Sequence, residues 1–599
     1  MTHFPGPGLA RGPSRSPLGR PVGQPRGRPC LRTVRPRALA RLAAAVLFAG
    51  PWVGALPVQE LVQEPVQEPA TSAAESELPR LVVLLHVDSF RADYLERFAP
   101  LLSEDGFARL LREGAVFNEA RVDHTSSELG PGVTALATGV LPGRAGIPTN
   151  VWFDRERRQE ALAAGDDGAV AFGSDEDISK SWASPGNLQR PTLGDLMQVQ
   201  LGADVRVFSF AWSDTSALLL GGQESDGSYW IDDYTGTWVT SSKLLSALDG
   251  YLATENREGA VQRYKGRVWE RSFDDETGLA YASRDDDPHE PPFAGFPTFP
   301  YEIPEFPLTN NVLRKAIDHT PFNDRVVLDA VRAAFAHREL GKDALPDLLC
   351  VSFSSLGYGG RDFGPDSQEV MDIFLQLDAR VAELMALLDE SVGEGRWTLA
   401  LSSASGISQL PEKTGGRRMK IHDLQVPVEV GLRQRFPEYQ VKDRNSWVVG
   451  IGGRWLYLSP YAAERAGVTL AEAAEVAAQL AEGIDGVQAA YTPSAMEASE
   501  DPVLRRWAED LHPRRSGDVL VVLEPAMVFN VGVGTGAGGQ SDADRRVPLI
   551  FFGAGIEPGV HSGPASGLDV VPTLAHLLGV PRMDDVDLDG RVRHEALTR

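Results

Sequence analysis

The feature that most narrows the fold is a set of short, unbroken apolar runs spread along the chain: LVVLLHVD (81–88), VRVFSFAW (205–212), DLLCVSF (347–353), WTLALSS (397–403), DVLVVLEP (518–525) and PLIFFG (548–553). A strand with one solvated face alternates apolar and polar residues, whereas runs like these suit strands covered on both faces. Between them lie helical patterns. The clearest sets Val370, Ile373, Phe374, Leu377, Val381, Leu384 and Leu388 on one stripe. This alternation predicts an α/β fold with a mostly parallel central sheet and helices on both faces. Polar or aromatic insertions interrupt it near 145–190, 255–320 and 415–500. The last holds WVVGIGGRWLYL and AEAAEVAAQLAEG, which predict a small α+β cap. In such sheets ligands sit beyond the carboxyl ends of the strands, so the residues after each run are the candidate site.

The N-terminus reads differently. Residues 1–41 carry nine Arg and no Lys, Asp or Glu, and they run into LAAAVLFAGPWVGA (42–55). A basic segment followed by a short apolar one is expected to be an export signal over 1–55, which places the remainder in the periplasm or outside the cell. Residues 56–79, beginning VQELVQEPVQEP after Pro57, are acidic and Pro-punctuated and are expected to be a disordered linker. Residues 80–599 then form the folded domain. Loss of the nine arginines takes the formal charge from −25 to −34, a field that disfavours nucleic acid as a partner. No later run is long enough to span a bilayer. Of the two cysteines, Cys30 leaves with the signal, and Cys350 within DLLCVSF is expected to be buried filler.

The segments LVVLLHVDSFRADYL, SSELGPGVTALATGVLPGRAGI, SFSSLGYGGRDFGP, LSSASG, RSGDVLVVLEP and DVVPTLAHLLGVP occur in this order from Leu81 onward. Together they resemble the alkaline phosphatase superfamily, most closely its threonine-nucleophile phosphomonoesterases related to type I phosphodiesterase/nucleotide pyrophosphatases. The resemblance implies two zinc ions in active members, which clamp the attacking and leaving oxygens of an in-line phosphoryl transfer. Their ligands are Asp and His side chains at the strand ends.

At those positions this chain departs from the pattern. The Asp that closes the first strand matches Asp88. The nucleophile position, two residues before Pro131-Gly132, holds Leu129, which cannot attack phosphorus. The remaining ligand positions hold Gly357, Arg361, Ala404, Ser405 and Ala537, and Ser213 and Thr215 stand where the family carries a phosphate-contacting Lys and Arg. The family's phosphate-contacting Asn matches Asn150. One carboxylate cannot hold two zinc ions, so no cofactor is expected.

These substitutions predict an alkaline phosphatase-like protein without catalysis, a pseudophosphatase with a binding or structural role. The alternative is an active phosphoester hydrolase with a rearranged site, using a displaced hydroxyl among Thr125, Ser126 and Ser127. Arg361 puts a permanent positive charge at a lost ligand position and is expected to pair with Asp88. Asp88 could instead cap a following helix. Asn150 and Arg361 are the candidate ligand-binding residues for a small anion or phosphoester, and for Asn150 a turn role is an equal alternative. A partner protein is compatible with the binding role, and no motif identifies which.

Overall fold

All seven residues of strand β1 (Leu81–Val87) are buried, and they divide between two cores. Leu81, Val83, Leu85 and Val87 join one hydrophobic cluster, while Val82 and Leu84 join the other. The unbroken apolar run is thus two interleaved stripes, one for each face of a covered sheet. The structure is a computed structural model describing residues 78–173, 182–305, 309–438, 446–529, 532–536, 538–580 and 587–598. The chain divides into two units, Met1–Ala73 and Ala74–Arg599. The expected export signal and all but the end of the expected linker lie outside the described residues. None of the described helices is long and apolar enough to cross a membrane.

The main sheet has ten strands. After β1 come β2 (Ala115–Phe117), β3 (Ala171–Phe172), β4 (Val207–Ala211), β5 (Gly227–Ile231), β6 (Trp238–Ser241), β7 (Asp347–Phe353), β8 (Trp397–Ser402), β9 (Leu549–Gly553) and β10 (Gly559–His561). Their spatial order is β10-β2-β9-β8-β1-β7-β4-β5-β6-β3. The five central strands β8, β1, β7, β4 and β5 are parallel. Antiparallel pairs extend this block at both sides, β8 with β9 and β5 with β6.

Helices cover both faces, as the alternating pattern requires. Helix α1 (Leu129–Thr138) packs Val133, Leu136 and Ala137 on one face, and α2 (Asp214–Gly221) adds Leu219 and Leu220 there. On the other face lie α3 (Phe322–His337), the short α4 (Ser355–Phe363) and the long α5 (Gln368–Ser391). Every residue of the stripe read from the sequence of α5 is buried in that core. Cys350 lies in β7, fully buried, and burial pushes its thiol pKa up, which keeps it protonated.

The expected cap is present, with one correction to the strand assignment. The run at 518–525 does form a strand, Val519–Leu523, but outside the main sheet. It completes a four-stranded antiparallel sheet with Val448–Gly452, Trp455–Leu458 and Val487–Tyr491. Helices Ile421–Arg435 and Leu470–Glu482 bury their apolar faces against this sheet in a third core.

Candidate functional site

The carboxyl ends of β1, β7 and β8 converge, and Asp88 lies where β1 ends. Its backbone N–H donates to the Phe353 carbonyl at 2.9 Å, which fixes it beside the end of β7. Ser89, at φ 58°, turns the chain sharply and donates its hydroxyl to Asp88 Oδ1 at 3.1 Å. Asp88 is 2% exposed. The helix that follows begins only at Asp93, with Ala92 at its N-cap, so Asp88 caps nothing there and that alternative is set aside.

Its charge is answered from α4. Arg361 donates from Nη1 and Nη2 to Asp88 Oδ2, both at 3.3 Å, and its guanidinium stacks 4.9 Å from the Tyr358 ring centre. The Arg361 side chain is 31% exposed against 4% for that of Asp88, so the pair opens to solvent on the arginine side. Burial works against the Arg361 charge, but Asp88, together with Tyr358 and Asp362, outweighs it and holds the guanidinium above its usual range.

Gly357, one turn earlier on α4, completes this arrangement. A Cβ on Gly357 would lie 2.0 Å from Asp88 Oδ2, so the carboxylate occupies the space of the missing side chain. Ala404 and Ser405, after β8, are both buried. Ala404 packs against α1 so tightly that a Cβ on Gly132 would come within 2.4 Å of it. The Ser405 hydroxyl is buried without a hydrogen-bond partner. Ala537 lies outside the described residues.

These residues do not fit two zinc ions. One carboxylate is committed to an arginine, and the single orphaned polar atom, Ser405 Oγ, is a neutral and weak ligand. Among the described residues no group of three or more His, Cys, Asp or Glu is placed to hold a metal.

Leu129 opens the first turn of α1 and lines a cleft of about 580 Å³, together with Asn150, Ser213, Thr215 and Tyr358. The structure therefore gathers at one place the residues that the sequence resemblance matched to a nucleophile and to phosphate contacts. Each polar member is engaged locally. Asn150 Oδ1 accepts the Gly130 N–H at 2.7 Å, which satisfies a free donor in the first turn of α1. Ser213 caps α2 by accepting the Ser216 N–H at 3.3 Å. The Thr215 hydroxyl donates to Asp214 Oδ1 at 3.1 Å. Burial and the neighbouring Asp233 push the Asp214 pKa up. The cleft also carries Asp166, Asp167, Asp232 and Asp233, and its Arg314 is tied to Asp233 and Asp318 at 2.8 Å each. Acidic groups thus surround Ser213 and Thr215 in the cleft.

The displaced hydroxyls face away from this cleft. Ser126 donates to Glu128 Oε2 at 2.8 Å, Ser127 donates to the Gly539 carbonyl at 2.6 Å, and Thr125 directs its hydroxyl to the Trp507 carbonyl at 3.4 Å. Glu128 and Arg454, which flank a second cavity beside α1, were not singled out by sequence reasoning. They lie 326 positions apart, so no local motif joins them.

The model of the type I phosphodiesterase / nucleotide pyrophosphatase family matches residues 82–542. Among curated relatives, a protein of Myroides odoratus named calcium-transporting ATPase is 29% identical, over 84% of this chain and 92% of its own length. Alkaline phosphatase PhoV of Synechococcus elongatus is 28% identical, over 84% of this chain and 90% of its own. The crystal structure of wild-type alkaline phosphatase PafA superposes with a TM-score of 0.79 at 24% identity, covering 87% of this chain and 99% of that one, which establishes a shared fold. With a family model spanning most of the folded region and the same α/β architecture, the chain belongs to the type I phosphodiesterase / nucleotide pyrophosphatase family of the alkaline phosphatase superfamily.

Proposed function

We propose that this protein is a non-catalytic member of its family, an exported pseudophosphatase that keeps the fold for a binding or structural role. The observation that carries the reading is the Asp88–Arg361 pair packed over Gly357. An active site of this family needs a cluster of metal ligands held apart by two cations. Here one carboxylate is neutralised by a guanidinium and folded into the space of a deleted ligand. At the nucleophile position Leu129 offers no lone pair, and the acidic cleft beside it repels a phosphoryl dianion. A small anion or phosphoester entering the crevice would meet the exposed edge of Arg361 and the amide of Asn150, the two residues we assign to any residual ligand binding.

A second reading has support of its own: relatives such as PhoV and PafA are named alkaline phosphatases, which favours an active phosphoester hydrolase with a rearranged site. One experiment separates the two. Purified protein is incubated with zinc and an aryl phosphate or a bis-aryl phosphodiester, with and without a chelator. The proposal expects no turnover above the uncatalysed rate in either sample. Turnover that the chelator abolishes would establish the second reading.

A further inference from the structure

Beside the N-terminus of α1, the cap sheet and the core line a cavity of about 180 Å³. Its most unusual wall residue is Arg454, at the turn between cap strands Val448–Gly452 and Trp455–Leu458. No acidic side chain among the described residues lies within ion-pair distance of its guanidinium. Burial pulls its pKa down, and Asp544 and Glu128 oppose this only at longer range. Both Asp544 oxygens are already occupied, Oδ1 by the Ser408 hydroxyl at 2.6 Å and Oδ2 by that of Ser541 at 2.5 Å. Glu128 Oε2 accepts from Ser126 and from the Asn150 N–H.

A second cation stands behind the first. Arg545 is held by Gln540 Oε1 at 2.6 Å and by the carbonyls of Val122 and His124, with no carboxylate partner. Burial, then the nearby Arg454, push its pKa down to about 10. Among the described residues neither guanidinium is in an ion pair. Glu128, which also lines the cavity, and Asp544 act on Arg454 only through space, so its N–H donors remain open to an incoming anion. The loop Gly536, Gly538 and Gly539 borders the same cavity, and no described group accepts from its N–H donors. The opposite wall is apolar, built from Trp455, Leu520, Met527 and Phe529.

We propose that this cavity binds a small oxyanion carrying a short apolar body, its charged head on Arg454 and the backbone N–H groups of Gly536, Gly538 and Gly539 and its body against Met527 and Phe529. The volume equals about six waters at their liquid packing, which suits a short-chain carboxylate or a small phosphoester. The site does not depend on whether the Leu129 cleft is catalytically dead. It shares no lining residue with that cleft and makes no use of Asp88 or Arg361.

The test uses the full folded protein at constant ionic strength, with sodium hexanoate and inorganic phosphate as separate probes. Thermal unfolding and Trp fluorescence, to which Trp455 contributes from the cavity wall, are followed as each is titrated. Saturable stabilisation by at least one probe is expected, hexanoate alone identifying a carboxylate site and phosphate alone a phosphoryl site. Arg454→Gln should weaken it at least tenfold and Arg454→Lys less. Because Arg454→Gln alters a partly buried position, Gly536→Leu supplies an independent check. A Cβ there meets nothing within 4 Å, so the side chain should obstruct the cavity without disturbing the fold. No saturable response to either probe, or a response that survives both Arg454→Gln and Gly536→Leu, would overturn the proposal.

Discussion

Truncating Arg361 to alanine tests the electrostatic logic of the degenerate site. The substitution leaves Asp88, 2% exposed, with only the Ser89 hydroxyl on one oxygen and nothing on the other. Removing one partner of a fully buried pair costs about 3–5 kcal/mol, because a charge is left without compensation. Two features reduce that here. Arg361 is 31% exposed, so water can reach the vacated space, and contacts of 3.3 Å to a single oxygen are long for charge-assisted hydrogen bonds. Loss of the stacking on Tyr358 adds a fraction of a kcal/mol. The expected destabilisation at pH 7 is about 2 kcal/mol, measured by urea unfolding. Asp88→Asn removes the charge that Arg361 answers, so in that background the same truncation should cost about 1 kcal/mol or less. An Arg361→Ala variant as stable as the parent, or equally destabilised in both backgrounds, would refute the reasoning.

Other consequences follow from the same geometry. Gly357→Ala should lose about 2 kcal/mol or more, since its Cβ would sit 2.0 Å from Asp88 Oδ2, and adding Asp88→Gly should restore most of that loss in a urea titration. Asn150→Ala should cost about 1 kcal/mol by freeing the Gly130 N–H at the start of α1, and Asn150→Asp should cost less because aspartate caps equally well. Buried His124 has its pKa pushed down to about 3, first by burial and then by Arg545 and Arg506. Between pH 3 and 6.5 the unfolded chain therefore binds more protons there than the folded one. Stability should rise with pH across that window by up to about 1.4 kcal/mol per unit from this residue. His124→Gln should flatten the dependence of the urea midpoint on pH between 4 and 6.5, and an unchanged slope would contradict the assignment.

The parallel heart of the fold was legible because burial on both faces leaves unbroken apolar runs. Five of the six apolar runs contain strands of the main sheet. The sixth, at 518–525, is equally apolar but pairs in the cap, since hydrophobicity records that a strand is covered and not which neighbour it joins. Edge strands such as Ala171–Phe172 and Gly559–His561 are too short to carry any periodicity.

At the site, the Asp88–Arg361 pair could be anticipated because two opposite charges fell on positions that the resemblance brings together. The helix-capping alternative for Asp88 failed because the helix starts at Asp93, four residues later than a helix capped by Asp88 would. For Asn150 the weighed alternatives were an anion contact and a turn. The hydrogen bond it makes is a helix-capping one, across a spacing of 20 residues that no local rule reads. The Arg454 cavity was invisible for a related reason: its walls come from residues near 126, 454, 528 and 538, each unremarkable in its own segment.

The central claim is that this chain lacks the means to hold the family's metal pair. The direct measurement is zinc stoichiometry by elemental analysis, after the purified protein has been incubated with excess zinc and desalted. The account predicts a zinc content indistinguishable from that of the buffer. About two zinc ions per chain, retained through desalting and lost in Asp88→Ala, would contradict it.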